Sequence, residues 1–401
     1  MIQSPAITRE RNGKPSILVV DDLPDQIRNE IAGEFGDKAN LEVLHPSDME
    51  ASDLARADLV LVDYKLEHWP KRDDQKTVFK IQTGLALAAV LRELLDEAEP
   101  ALSASTSTSG SGSQPTHLTS VALHTQFLDE AKGRIRLPGS SACHVLARLN
   151  NLEWTFEKGD ASRIKQMLIL ARSTRRLPAE WPNNAGDSDA QARDLLGLEN
   201  DVAWYGRCWR DVRECQPPIH ELAGGAGGVL FLRWLLHQIL PFPSFLWDEH
   251  WVAARLRLQV DDLRRLLKSD NELRRDLSSR KYSGLLEDFL GDRWWRGAIE
   301  DYAWELADGS SGDSKPFRET LLEKAGENLK LVELDRPVVC LDENLQPSSR
   351  FASPSEAVNV RPDHWPAFAD SAWMRISTVT DVPEMRAIVD PLDDYRLPTL
   401  E

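Results

Sequence analysis

The feature that most constrains this chain is a pair of short apolar runs that stop abruptly at acidic residues. Ser16 to Val20 reads SILVV and ends at Asp21-Asp22, and Leu59 to Val62 reads LVLV and ends at Asp63. Runs so short, β-branched and continuously apolar predict strands buried on both faces. Such strands belong to parallel sheets, whose neighbours must be joined by crossovers. The intervening sequence supplies them. Pro24 to Phe35 sets Ile27, Ile31 and Phe35 on one helical face, Met49 to Ala57 makes a short helix, and Thr83 to Glu97 (TGLALAAVLRELLDE) is amphipathic. Cys143 to Leu149 and Ala161 to Ser173 give two further helices, and Leu41 to Leu44, Ser120 to Leu123 and Leu152 to Phe156 give the remaining strands. Residues 14–175 are therefore expected to form an α/β domain on a five-stranded parallel sheet, after an N-terminal tail over 1–13. Ala101 to Gln114 (ALSASTSTSGSGSQ) is Ser/Thr/Gly-rich and cannot bury enough apolar surface to order itself, so 100–116 is expected to be a flexible insert.

Beyond this domain the pattern changes. Thr174 to Gly197 carries Pro178, Pro182 and Asn183-Asn184, which places a linker over 176–200. Helical periodicity follows from Asp201 to Arg213, Val229 to Leu240, His250 to Lys268, Lys281 to Leu306 and Phe317 to Asn328, predicting a mainly α-helical domain over 201–330. Val229 to Leu240 (VLFLRWLLHQIL) is apolar nearly all round and is expected at the centre of that domain. Residues 331–401 read as short β and irregular segments, Pro337 to Leu341 and Ala357 to Val360 among them, followed by a Pro-rich extended tail.

Composition narrows the functional classes. The chain of 401 residues carries a formal net charge of −17, which disfavours nucleic acid as a partner. The basic helical run around Arg264, Arg265, Lys268, Arg274 and Arg275 is interleaved with Asp261, Asp262, Asp270 and Glu272, as on a solvated face. No apolar run reaches transmembrane length and no apolar leader precedes the first strand, so a cytoplasmic location with no membrane partner is expected. Cys143, Cys208, Cys215 and Cys340 form no CxxC pair and are expected to be reduced and buried. Gly224 to Gly228 (GGAGG) lacks the Gly-Lys-Ser/Thr ending of a phosphate loop, and His237, Asp248, Glu249 and His250 match no metal-ligand spacing. The aromatic stretch Pro241 to Trp251 suits either a core or a partner-binding patch.

Polar groups gather where the strands end: Asp21-Asp22 after the first, Asp63 after the third, Thr125 after the fourth and Lys158 after the fifth. In an open α/β sheet that edge is where ligands bind. Carboxylates gathered there repel one another unless a cation joins them, and oxygen-only ligands suit Mg²⁺. A metal-bound carboxylate is a plausible nucleophile toward phosphorus, with a lysine and a threonine hydroxyl to hold phosphate oxygens.

Taken in order, ILVVDD (Ile17 to Asp22), DLVLVDYKL (Asp58 to Leu66), TGLALA (Thr83 to Ala88), VALHT (Val121 to Thr125) and WTFEK (Trp154 to Lys158) resemble the receiver domain of response regulators. The resemblance covers about two fifths of the chain. It implies a flavodoxin-like five-stranded sheet, Mg²⁺ bound by Asp21, Asp22, Asp63 and the Lys65 backbone carbonyl, Asp63 as phospho-acceptor, and Thr125 and Lys158 as readers of the phosphorylated state. It further implies a two-component signalling protein with a histidine kinase or other protein as partner, with a homodimer compatible. The sequence departs from the family pattern in four places. Gly159 stands where proline usually follows the strand-five lysine, Thr155 at the aromatic switch position, and Gln126 where a small residue is expected after Thr125. Glu67-His68-Trp69 precedes Pro70 where proline comes sooner. These departures motivate an alternative, a pseudo-receiver that serves as an adaptor or scaffold component without phosphorylation.

Overall fold

The computed structural model describes residues 13–69, 81, 83–104, 118–133, 139–309, 314–326, 329–334 and 336–398. The chain divides into two compact units. The first comprises Met1–Leu196, Pro218–His237 and Gly284–Leu290, and the second comprises Gly197–Pro217, Gln238–Ser283 and Gly291–Glu401.

The first unit is an α/β domain. Its strands are β1 (Ser16–Val20), β2 (Asn40–Leu44), β3 (Leu59–Asp63), β4 (Ser120–Thr125) and β5 (Trp154–Glu157), in the order β2-β1-β3-β4-β5 and all parallel. As their unbroken apolarity predicts, Leu59, Val60, Leu61 and Val62 are all 0% exposed. Its helices up to Leu196 are α1 (Pro24–Phe35), α2 (Ala51–Leu54), α3 (Gly84–Ala104), α4 (Leu128–Lys132), α5 (Gly139–Leu149), α6 (Arg163–Arg176) and α7 (Ala185–Leu196). Helix α1 buries Ile27, Ile31 and Phe35, the face its spacing predicted. Helix α6 buries Met167, Leu170 and Ala171, and its Thr174 hydroxyl lies 2.6 Å from that of Ser120 on β4.

Two buried carboxylates tie the sheet together at its other edge. Asp58, fully buried before β3, accepts the Ser16 amide at 2.7 Å and pairs with Arg175 at 3.3 Å. Glu153, fully buried before β5, accepts hydrogen bonds from Arg92 of α3 and the Val121 amide, and from Arg233 at 2.7 Å. Burial alone would raise the Glu153 pKa, but the two guanidiniums outweigh it and hold the carboxyl below the ordinary glutamate value.

The region expected to be a linker is not one. Residues 185–196 form α7, which buries Ala192, Leu195 and Leu196 within the first unit. The Pro/Asn-rich stretch proves to be a helix start, where Asn184 accepts the Asp187 amide at 3.0 Å. The domain expected over 201–330 is likewise divided, since Pro218–His237 and Gly284–Leu290 belong to the first unit. The anticipated continuous helix over 229–240 is α-helical only over Val229–Trp234 and continues as a π-helix over Leu235–Ile239. The expected flexible insert falls mostly outside the described residues, and its first positions close α3 at Ala104.

The second unit mixes short helices with short strands. Leu256, Leu263, Leu273, Leu277 and Ile299 share a core with Trp294. The helix expected from Lys281 to Leu306 is confined to Arg296–Leu306, after a two-residue strand, Trp294–Trp295, paired antiparallel with Leu246–Trp247. Trp295 stacks on Phe245 with ring centroids 5.7 Å apart, and both are fully enclosed, so these aromatics are core. The C-terminal region is more than an extended tail. Cys340–Leu341, Ala357–Val360 and Ala372–Arg375 make a three-stranded sheet whose residues Val358, Val360 and Met374 pack with Val379. All four cysteines are buried and outside any disulfide, and burial pushes the Cys143, Cys208 and Cys215 thiols up to about 12. No helix among the described residues is long and apolar enough to cross a membrane.

Removing Glu153 strands two guanidiniums and an amide. Glu153→Ala should cost about 3–5 kcal/mol of unfolding free energy, read as a lowered urea midpoint, because a buried charge loses its partner.

Candidate functional site

The strand order sets β1 and β3 side by side at the centre, with β4 and β5 following, so the residues after these four strands meet along one edge. Asp63 is the last residue of β3 and only 6% exposed. Its Oδ1 lies 2.7 Å from Lys158 Nζ, and its Oδ2 accepts the Lys65 amide at 3.0 Å. Lys158, just beyond β5, is held by its own amide, which donates to the Thr125 carbonyl at 2.8 Å. The same ammonium lies 3.4 Å from Asp21 Oδ2, while Asp21 Oδ1 accepts the Leu23 amide at 2.9 Å. Asp21, Asp63 and Lys158 thus come together as one ionic cluster.

The other expected residues border this cluster. Asp22 accepts the His68 amide at 2.5 Å and faces the His68 ring nitrogen at 3.4 Å. The Thr125 hydroxyl oxygen accepts the Phe127 amide at 2.8 Å. Lys65 enters through its amide, and its ammonium lies 3.0 Å from Glu130 and 3.8 Å from the centre of the Phe127 ring. That ammonium–ring contact is a cation–π interaction. The loop after β3 is tethered again at His45, whose Nε2 lies 3.1 Å from the His68 carbonyl oxygen and whose ring meets Trp69 edge-on. His45, His68, Phe127 and Glu130 were not legible as site residues, because loop conformation alone brings them to the strand ends.

Gly84 sits where no other residue fits. Its amide donates to the Tyr64 carbonyl at 2.7 Å, and a Cβ there would lie 1.7 Å from the Asp63 carbonyl oxygen. The start of α3 is thereby pressed against the backbone of Asp63. Beside Asp63 in the sheet register, His124 is buried with an unpartnered Nε2. Burial, aided by Lys158 and Arg163, pushes its pKa down to about 3, so the imidazole is neutral.

Carboxylate oxygens are donors of the kind that suit a hard cation. The arrangement is centred on Lys158, which satisfies Asp21 and Asp63, whereas Asp22 is bound to His68. Among the described residues no group of three or more His, Cys, Asp or Glu is assembled to hold a metal ion.

Burial raises the Asp63 pKa above its ordinary 3.8, with Asp21 adding to the rise and Lys158 opposing it. The folded protein therefore holds this proton to higher pH than the unfolded chain. Its contribution to stability is greatest below 3.8 and falls as pH rises through the folded pKa. Asp63→Asn should raise the urea midpoint at pH 7, with the gain vanishing below about pH 4. Gly84→Ala should lower stability by about 1–3 kcal/mol or more, since backbone cannot yield as a side chain can; thermal unfolding checks it. Comparisons with protein families, with characterised proteins and with solved structures find no match for this chain.

Proposed function

We propose that the first unit is a receiver-like signalling domain in which Asp63 accepts a phosphoryl group, or senses one, and thereby regulates the rest of the chain as a protein-interaction module. The observation that carries this reading is the Lys158 ammonium, 2.7 Å from Asp63 and 3.4 Å from Asp21 at the C-terminal edge of the sheet. A carboxylate so placed can attack phosphorus. The new bond joins an Asp63 oxygen to phosphorus, and the bond from phosphorus to the donor's leaving group breaks with its electron pair. The donor class is a phosphohistidine of a kinase or a small acyl phosphate. Lys158 is placed to follow the added charge, and the Thr125 hydroxyl, whose hydrogen remains free to donate, borders the site. Asp21, Asp22 and Asp63, with the Lys65 carbonyl, would hold Mg²⁺ once Asp22 leaves His68. The ion would neutralise charge on the transferring group.

A second reading is favoured by a specific observation. Asp63 is only 6% exposed, and Asp22 and Thr125 are already engaged by the His68 and Phe127 amides. A domain so closed can serve as a pseudo-receiver, an adaptor surface that works without phosphorylation.

Incubation with Mg²⁺ and acetyl phosphate separates the two readings. The phosphoryl reading expects a single adduct of about 80 Da by intact mass, absent from Asp63→Asn. No adduct, or one that survives the substitution, overturns it.

A further inference from the structure

The second unit carries both a small aromatic cleft and, mounted on the same core cluster, an exposed tyrosine. Phe242, Trp251, Leu345 and Trp365 line the cleft with Asp248 and Arg293, and its volume is about 30 Å³. That is room for about two waters. Small-molecule sites are far larger, roughly 300–1,000 Å³, so this cleft suits the end of one side chain from a larger partner. Its walls are fixed. Phe242 and Trp365 meet edge-on with ring centroids 5.1 Å apart, and Trp365 Nε1 donates to the Asp370 carbonyl at 3.0 Å. Leu345 stands at φ 57°, a left-handed conformation that leucine rarely adopts. The surrounding turn enforces it, since Asp342 Oδ1 accepts the amides of Asn344 at 2.8 Å and Gln346 at 2.9 Å.

The two polar residues select the occupant. Asp248 is partly exposed, and it and Arg293 act on each other electrostatically. An anionic end would meet the carboxylate, and a cationic end the guanidinium. A neutral group that both donates and accepts matches the pair, and the aromatic walls favour one carried on a ring. Tyrosine supplies this. Of the five tyrosines in the chain, Tyr282 and Tyr302 are buried, Tyr64 and Tyr205 are half-buried, and Tyr395 alone is exposed, at 83%. Leu392, three residues before it, is 78% exposed. The segment presenting them is ordered in advance. Asp393 Oδ2 accepts the Asn359 amide at 2.7 Å, and Asp394 pairs with Arg386 at 3.1 Å. Leu397 is buried in the cluster on which Leu345 and Trp365 also pack. Little freedom is left to lose on binding.

We infer that Tyr395 of one copy of this chain enters the cleft of a second copy, its ring against the aromatic wall and Leu345 and its hydroxyl at Asp248 and Arg293. In a two-fold dimer the exchange is reciprocal, each copy giving one tyrosine and one cleft. Two rings, two clefts and the adjoining Leu392 side chains remove on the order of 1,000 Å² from solvent. That is the lower limit of a specific interface, so the dimer is weak and forms in the micromolar range. The inference is independent of the chemistry at Asp63.

Sedimentation equilibrium on the full chain tests this. The wild type should pass from monomer to dimer through the micromolar range. Tyr395→Ala, which removes a ring that stands in solvent, should raise the dissociation constant about tenfold or more. On the cleft side, Leu345→Gly removes one wall and suits the left-handed backbone, so the turn is kept. It should weaken the dimer about tenfold as well. Mixed, the Tyr395→Ala and Leu345→Gly chains should associate more tightly than either alone, because their heterodimer retains one intact exchange. That recovery also shows that both variants are folded. A wild type that stays monomeric overturns the inference, as does a dimer unchanged by either substitution or a mixture no tighter than its parts. A monomer that binds N-acetyltyrosinamide, with binding lost in Leu345→Gly, assigns the cleft to another protein's tyrosine and overturns the second copy as occupant.

Discussion

The first unit depends on one constraint: its central strands are sealed on both faces, so polar chemistry can emerge only where the strands stop. β3 is apolar through Val62 and turns polar at its last residue, Asp63, still 6% exposed. Charges confined to so small an edge must neutralise one another. Lys158 does this by serving two carboxylates at once. At the opposite end of the strands the same problem is met by different means, because Asp58 and Glu153 are wholly enclosed and each is matched to arginine. The two ends therefore differ in kind. Arginine pairs lock one end, while at the other Lys158 is shared between Asp21 and Asp63.

Much of this was legible in the sequence because periodicity and burial coincide there. SILVV and LVLV, short, β-branched and bounded by acids, read as interior strands, and the acids that end them had to lie on a common edge once the strands ran parallel. What the sequence left hidden was decided by loops and by distant segments. Asp22 turns to the His68 amide, an interaction set by the course of the chain after β3 and not by residue type. Gly84 reads as an ordinary glycine at a helix start until its approach to the Asp63 carbonyl is seen.

The second unit was less readable for a different physical reason. Its helices are short, many of six or seven residues, and its strands shorter still. Short elements carry little periodic signal; the run VLFLRWLLHQIL, which begins in the first unit and ends in the second, likewise extends across a change from α to π geometry without marking it. The helix expected over 281–306 failed on the same ground, since Trp294 and Trp295 suit a strand as well as a helix. Burial of these rings in a stacked cluster assigns them to the core.

The interleaving of the chain has a consequence for how such a protein can be inherited. The α/β unit takes Arg233, which completes the Glu153 cluster, and Phe289, which covers Trp154 and Phe156, from stretches far along the sequence. A gene segment ending after α6 would encode every strand and every site residue, yet leave a buried carboxylate short of a partner and two aromatic residues without their cover. The α/β unit is thus poorly suited to being shuffled as a detachable module. Recombination that preserves it must carry the downstream chain with it, and the two units are expected to travel through evolution as a single heritable block.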